Sequence, residues 1–258
     1  MKTVSIANHK GGVGKTATCH ALGATMARDH GRRVLLVDID PQGSLSAACG
    51  FGEVSDRPTI ASVLGDVNPG KIALRDVIVE VAPGLHLAPA DLTLSNTELG
   101  LHSRFKREEV LSRALAGVAD RYDIALIDCP PSLSLLTING LTASDGVICP
   151  TQPQPADLRG LRLFLQSLDR IREMINPKLD LLGVLVTFYD GRLTLHRDLV
   201  DRLKEAGLPV FDVMIGRSIR VAESAASGEA VTTYASDNPQ ADNYRKLGGI
   251  VDTWLRRI

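Results

Sequence analysis

The sequence predicts a doubly wound α/β fold, a mostly parallel sheet flanked by helices, and three observations predict it. Short aliphatic and β-branched runs recur at residues 4–7, 34–37, 85–88, 124–127, 147–149 and 181–186, with 210–213 as a further candidate. Continuous apolar runs of this length suit strands buried on both faces of a parallel sheet. Helical stretches fall between them, at 17–29, 106–120, 158–175 and 195–206, with apolar residues at helical spacing such as Leu158, Leu161, Leu165 and Leu168. The composition agrees: 44% hydrophobic and 23% charged residues in a chain of 258 exclude a mainly disordered or collagen-like protein. Strand alternating with helix then places helices on both sheet faces through right-handed crossovers.

The 1–258 span reads as one domain, with no internal repeat and no low-complexity tract. Residues 50–58 and the Pro-punctuated stretch 151–156 read as local connections. The first strand begins at Thr3 and leaves no room for an N-terminal helix-turn-helix. No apolar run reaches the roughly 18–20 residues of a spanning helix, and the N-terminus has too short an apolar core for a signal peptide. The expected compartment is a reducing cytoplasm. Cys19, Cys49, Cys129 and Cys149 never form C-x-x-C, so they read as small buried hydrophobes, not as a disulfide framework or zinc site. With 29 Lys+Arg against 30 Asp+Glu the net charge is -1, so any surface for nucleic acid or anionic lipid must be a local patch.

The first strand runs into Asn8-His9-Lys10-Gly11-Gly12-Val13-Gly14-Lys15-Thr16-Ala17, and a helical pattern comes next. A Gly-rich turn between strand and helix exposes successive backbone N–H groups, which with the helix N-terminus cradle phosphate. Lys15 is placed to reach β/γ-phosphate oxygens and the Thr16 hydroxyl to bind Mg²⁺. The usual first glycine of G-x-x-x-x-G-K-[ST] is replaced by His9, and a second lysine, Lys10, opens the loop. A glycine turn with two solvated lysines is the plain alternative; the agreement of strand, loop and helix contexts argues against it.

Two further strands end in carboxylates. After residues 34–37 come Asp38-Ile39-Asp40-Pro41-Gln42-Gly43; after 124–127 come Asp128-Cys129-Pro130-Pro131. Ligands of open α/β sheets gather at these carboxyl ends. Asp40 is placed to orient a water toward a γ-phosphate, Asp38 to hold Mg²⁺ through water or brace the loop, and Asp128 to contact the Mg²⁺ hydration shell. A lone strand-end Asp is more often a cap or turn residue; three that line up with a phosphate loop are not.

The segment K-G-G-x-G-K-T, with D-x-D-P-Q-G and the strand ending at Asp128, resembles the deviant Walker A branch of the P-loop ATPases, and within it the ParA/Soj family, relatives of MinD. Later segments extend the likeness. Thr187-Phe188-Tyr189-Asp190-Gly191-Arg192 resembles T-x-Y-D-x-R. The stretch from Ile215 to Glu223 resembles I-P-R-N-V-R-L-S-E, with Gly216 for Pro, Ser218 for Asn and Ala222 for Ser, and Gln240 to Tyr244 resembles G-A-x-A-Y. In relatives the 215–223 stretch lies near the adenine, so Arg217 joins residues 10–17 as a candidate ATP contact. The resemblance implies ATP hydrolysis, weak alone and stimulated by partner or DNA, with Lys10, Lys15 and Asp40 as catalytic residues. It implies an ATP-bound homodimer in which Lys10 crosses to the partner's phosphates. That dimer would bind double-stranded DNA without sequence preference on the nucleoid. A ParB-type centromere-binding protein would trigger hydrolysis and release, segregating plasmid or chromosome.

Candidate DNA contacts are Arg217, Arg220, Arg245 and Lys246, although any single basic residue is ordinarily a solvated surface group. On the 195–206 helix, Arg197/Asp201 and Asp198/Arg202 read as i,i+4 pairs. At the C-terminus Ile250, Val251, Trp254, Leu255 and Ile258 share a face flanked by Arg256 and Arg257. Docking on the core is favoured there over a MinD-like membrane contact. The alternatives are a positioning ATPase for a non-DNA cargo, a membrane-associated regulator, an iron–sulfur carrier on the same fold and a scaffold that uses ATP only structurally. The absence of C-x-x-C disfavours the carrier, and Asp40 the scaffold.

Overall fold

The computed structural model describes residues 1–52, 57–65 and 72–257. The chain opens with β1 (Lys2–Ile6), α1 (Lys15–Arg28), β2 (Val34–Asp38) and three short helices, α2 (Ser44–Ala48), α3 (Ile60–Gly65) and α4 (Leu74–Val77). A hairpin comes next, β3 (Val79–Ala82) and β4 (Leu85–Ala88), then α5 (Leu94–Leu101), a 3₁₀ turn at Arg107–Glu109, and α6 (Val110–Ala116). The second half alternates: β5 (Ile124–Asp128), α7 (Leu135–Thr142), β6 (Gly146–Thr151), α8 (Pro155–Met174), β7 (Asp180–Tyr189) and α9 (Thr194–Glu205). It closes with β8 (Ile215–Gly216), α10 (Ile219–Ala226), α11 (Val231–Tyr234) and α12 (Pro239–Arg256).

The strands form one sheet in the order β3-β4-β2-β5-β1-β6-β7-β8, parallel except where β3 pairs antiparallel with β4. β1 lies between β5 and β6, so the loop leaving its carboxyl end opens beside the strand-end carboxylates. Alternate residues feed opposite cores. Leu35, Val37, Ala125 and Ile127 join the layer of α7 and α8; Val34, Leu36, Ile124 and Leu126 join that of α1 and α12.

β1, β2, β4, β5, β6 and β7 overlap the predicted runs, and α1, α6, α8 and α9 the predicted helical stretches; α7 and β8 lie outside them. In α8 the buried stripe is Asp157, Leu161, Phe164, Leu168 and Ile171, with Leu158 and Leu165 packed at its margin. The 210–213 strand does not form. Only Val210 bridges, to Val184, with Val184 N–H donating to the Pro209 carbonyl and Phe211 N–H to the Val184 carbonyl; the Phe211 ring lies over Gly183, 2.7 Å from where a Cβ would stand. The pairing resumes at β8. On α9, Arg197 turns back to the Gly191 carbonyl at 2.9 Å and the Thr194 hydroxyl at 3.2 Å instead of to Asp201. Of the 50–58 connection, 53–56 lie outside the described residues.

The C-terminal stripe docks. Val251 is buried and Trp254 and Leu255 pack against the same core, while Ile250 stays exposed and Ile258 lies outside the described residues. Contact with α1 is close at Gly248, where a Cβ would stand 2.4 Å from Thr25 Cγ2. No helix among the described residues is long and apolar enough to cross a membrane. All four cysteines are free and buried, as read from the sequence.

Candidate functional site

The loop between β1 and α1 is shaped by Gly12 and Gly14, both at positive φ (71° and 85°), a conformation that costs other residues strain. Gly14 occupies the N-cap of α1 without a side-chain cap, and the first turn has no acid. The orphan N–H groups of the helix start are therefore free for an anion.

Residues distant in sequence hold the loop's outer side. Gln152 Nε2 donates to the Gly12 carbonyl at 2.9 Å and Thr187 Oγ1 to the Val13 carbonyl at 2.9 Å. Asn8 Nδ2 ties the end of β1 to the Pro150 carbonyl at 2.7 Å. Sequence reading missed Gln152 and Asn8 as braces; Thr187 was visible only as part of a motif.

Lys15 is buried and its ammonium donates to the Lys10 carbonyl at 3.0 Å. Burial lowers its pKa below the ordinary lysine value, with Asp128 as the largest opposing influence. Thr16 Oγ1 donates to Asp128 Oδ2 at 2.7 Å. Asp128 Oδ1 is buried without a hydrogen-bond partner among the described residues. Burial first, then neighbouring Asp38, pushes the Asp128 carboxyl well above the usual carboxylate range. The two acids meet because Asp38 and Asp128 are register partners on β2 and β5.

Asp38 is fully buried. Its Oδ2 accepts from the Ser46 N–H and hydroxyl, both at 2.8 Å, and its Oδ1 from the Asp40 N–H at 3.1 Å. Burial raises its carboxyl to about 6 against those three hydrogen bonds. Of the two roles expected for Asp38, this geometry favours the brace. Asp40 stands at the cavity wall, with Oδ1 accepting from the Gln42 N–H at 3.0 Å.

These groups border a cavity of about 530 Å³ that runs from Gly11, Gly14, Lys15, Thr16 and Ala17 at one end to Phe188, Gly216, Ser218 and Val221 at the other. His20, which sequence reading passed over, also lines it, and burial lowers its pKa to about 4, so the imidazole is neutral. No group of three or more His, Cys, Asp or Glu able to hold a metal occurs among the described residues. The hydroxyl of Thr16 and the orphaned Asp128 oxygen are hard donors that suit Mg²⁺ if phosphate oxygens and water complete its shell. The anion cradle, the buried ammonium and this oxygen pair fit a Mg²⁺-bound nucleoside triphosphate.

Three expected ATP contacts stand elsewhere: Val13 is buried behind the loop and is not among the cavity walls, and Lys10 and Arg217 point away. Lys10 is not among the cavity walls; its ammonium donates to Asp157 Oδ1 in the first turn of α8. Asp157 is buried, and its Oδ2 has no partner among the described residues. Arg217 lies over the Phe188 ring, 5.5 Å from its centroid, and lines the neighbouring cleft with Arg192 and His196.

The candidate DNA residues do not share one cleft. Arg220 is paired with Glu223 at 2.9 Å. Arg245 is committed to Asp242 at 2.5 Å and to the Ser236 and Thr232 carbonyls at 2.8 and 3.1 Å. Lys246 lines a groove with Trp254 and Phe211.

The chain matches the AAA domain family over residues 1–181. It is 38% identical to the chromosome partitioning protein ParA of Caulobacter vibrioides, across 96% of this chain and 92% of that protein. It is also 38% identical to the chromosome-partitioning ATPase Soj of Thermus thermophilus, across 96% and 94%. Among solved structures, that of cobyrinic acid a,c-diamide synthase from Mycobacterium smegmatis with bound ADP and magnesium superposes with a TM-score of 0.84 at 35% identity, covering 98% of this chain and 95% of that one.

Proposed function

This chain belongs to the ParA/Soj family of P-loop ATPases, and we propose that it hydrolyses ATP as a dimer that binds DNA in its ATP state and segregates or positions it with a ParB-type partner. The observation that carries this reading is the separation of the two lysines. Lys15 serves its own cavity, whereas Lys10 stays outside it on Asp157. A lysine held outside its own phosphate site becomes available to a second copy's phosphates once it leaves Asp157. Two triphosphates brought face to face need such extra positive charge.

When bound, ATP with Mg²⁺ supplies the electrophilic phosphoryl group and neutralises its charge. The residues divide the remaining work. Backbone N–H groups from Gly11 to Ala17 bind the phosphates, and Lys15 holds the β- and γ-oxygens. Thr16 and Asp128 would hold the metal's shell. Asp40 would orient the attacking water by accepting its hydrogen bond and take up the proton as the water oxygen bonds to phosphorus. Asp38 keeps Asp40 in place by binding its N–H and tying Ser46 to the same loop.

Release of Lys10 from Asp157 makes dimerisation contingent on ATP, and a partner protein or DNA accelerates turnover by stabilising that arrangement. Arg217, which has no carboxylate partner among the described residues, is the candidate best placed for phosphate contact on DNA, giving salt-dependent, sequence-independent binding at the nucleoid in the cytoplasm. The engagement of Arg220 and Arg245 in ion pairs favours, as second reading, positioning of a non-DNA cargo by the same switch. A membrane-associated role is disfavoured because α12 spends its apolar face on the core. Partitioning is favoured over the diamide formation for which the Mycobacterium smegmatis structure is named, because two relatives at 38% identity carry the partitioning name. Co-sedimentation with double-stranded DNA across a salt series is the test. Binding with ATP alone, weakening steeply with salt, supports DNA as cargo; equal binding with ATP, ADP and no nucleotide, or none at all, overturns it.

A further inference from the structure

The far end of the cavity is held by a contact that the motifs do not contain. Gly216 in β8 donates its N–H to Gln240 Oε1 at 2.5 Å. Asn243 Nδ2 donates to the same oxygen at 3.4 Å and to the Met214 carbonyl at 2.9 Å. Asn238, the N-cap of α12, donates from Nδ2 to Ser218 Oγ at 3.3 Å. The start of α12 thus grips the strand on both sides of Arg217.

The fit between Gly216 and Gln240 is reciprocal. A Cβ at 216 would stand 3.0 Å from Gln240 Nε2 and 3.3 Å from the Tyr189 carbonyl. Where the family pattern has proline and glycine at these two positions, this chain has glycine and glutamine. The space beside the strand is filled from the helix. Glycine at 216 leaves a half-buried N–H that requires an acceptor and a backbone with more freedom than proline allows. The Gln240 amide answers both needs.

We propose that Gln240 is a positioning residue for the nucleobase: its amide clasp does the work of a prolyl ring, holding Gly216 and Ser218 against the base end of the nucleotide. The inference rests on the nucleotide-site reading above and concerns only the end remote from Lys15. Gln240 therefore governs affinity for a nucleotide that has a base and is indifferent to a bare polyphosphate.

Calorimetric titration of the full chain with Mg-ADP and with Mg-tripolyphosphate tests this. Gln240→Ala weakens ADP by about tenfold, the scale of one half-buried hydrogen bond, and leaves tripolyphosphate unchanged. Gln240→Glu, which still offers an acceptor, retains most of the ADP affinity. Gly216→Pro alone crowds the glutamine and weakens ADP, while Gly216→Pro/Gln240→Gly restores it, so the two changes are strongly non-additive. Equal losses for ADP and tripolyphosphate, or additive effects in the double variant, overturn the proposal. If the unaltered chain binds neither probe, the nucleotide-site reading itself fails, an outcome distinct from failure of the clasp.

Discussion

Replacing Lys10 by alanine removes more than a cation from a future dimer interface. Asp157 is buried, and among the described residues the Lys10 ammonium is the polar partner of one carboxylate oxygen while the other has none. Truncating one member of a fully buried pair costs roughly 3–5 kcal/mol, mostly the penalty of the abandoned charge. The Lys10 side chain keeps 40% of its surface exposed, so water reaches the carboxylate once the lysine is gone, and about 2 kcal/mol is the appropriate scale. At roughly 2.1 cal/mol/K of unfolding entropy per residue, a chain of this length loses about 4 °C in melting temperature. The companion variant Lys10→Ala/Asp157→Asn carries no abandoned charge and melts near the unaltered protein, yet lacks the group that crosses to a second copy. Calorimetric melting without nucleotide and light scattering with Mg-ATP separate the two effects. The expected outcomes are a destabilised monomer for the single variant and a stable monomer for the double one. An unchanged melt for Lys10→Ala, or an ATP dimer formed by the double variant, refutes the reasoning.

Other expectations are shorter. Lys15→Ala lowers ATP affinity at least a hundredfold by titration calorimetry, since it removes the buried ammonium at the phosphate loop; unchanged affinity removes Lys15 from the cradle. Asp40→Ala keeps the ATP dimer but slows phosphate release by about 10²–10⁴-fold, the range of a lost general base, and sustained turnover excludes that role. The Asp38 carboxyl titrates at about 6, above its ordinary 3.8, so the folded state binds the extra proton between those values. Stability from this group is therefore present at low pH and falls as pH rises from about 4 to about 6. Urea midpoints of Asp38→Asn lack that component, and identical pH slopes for the two proteins contradict the assignment.

The phosphate loop was legible because its chemistry is consecutive: residues 8–17 carry strand end, glycine turn, lysine and helix start in one run. Asp38 and Asp128 were legible because buried parallel strands are continuous apolar runs, and residues just past their carboxyl ends fall at the ligand edge of the sheet. Elements that depend on distant contacts were not. β3 is a four-residue edge strand, only half buried, with too little apolar pattern to declare itself, and β8 is a two-residue strand fixed by pairing with β7. The engagement of Lys10 by Asp157 joins positions 147 apart, and in α8 that aspartate looks like an ordinary first-turn acid. The availability of the basic residues was hidden for a similar reason. A basic residue's availability depends on whether an acid or carbonyl folds beside it, as Asp242, Ser236 and Thr232 do at Arg245.

A structure of the protein grown with Mg²⁺ and a non-cleavable ATP analogue is the decisive measurement. Paired copies are predicted, in which each Lys10 has left its Asp157 and placed its ammonium within hydrogen-bond distance of the terminal phosphate bound by the other copy. Separate protomers, or a dimer in which both lysines remain on their own Asp157, contradict the proposed exchange.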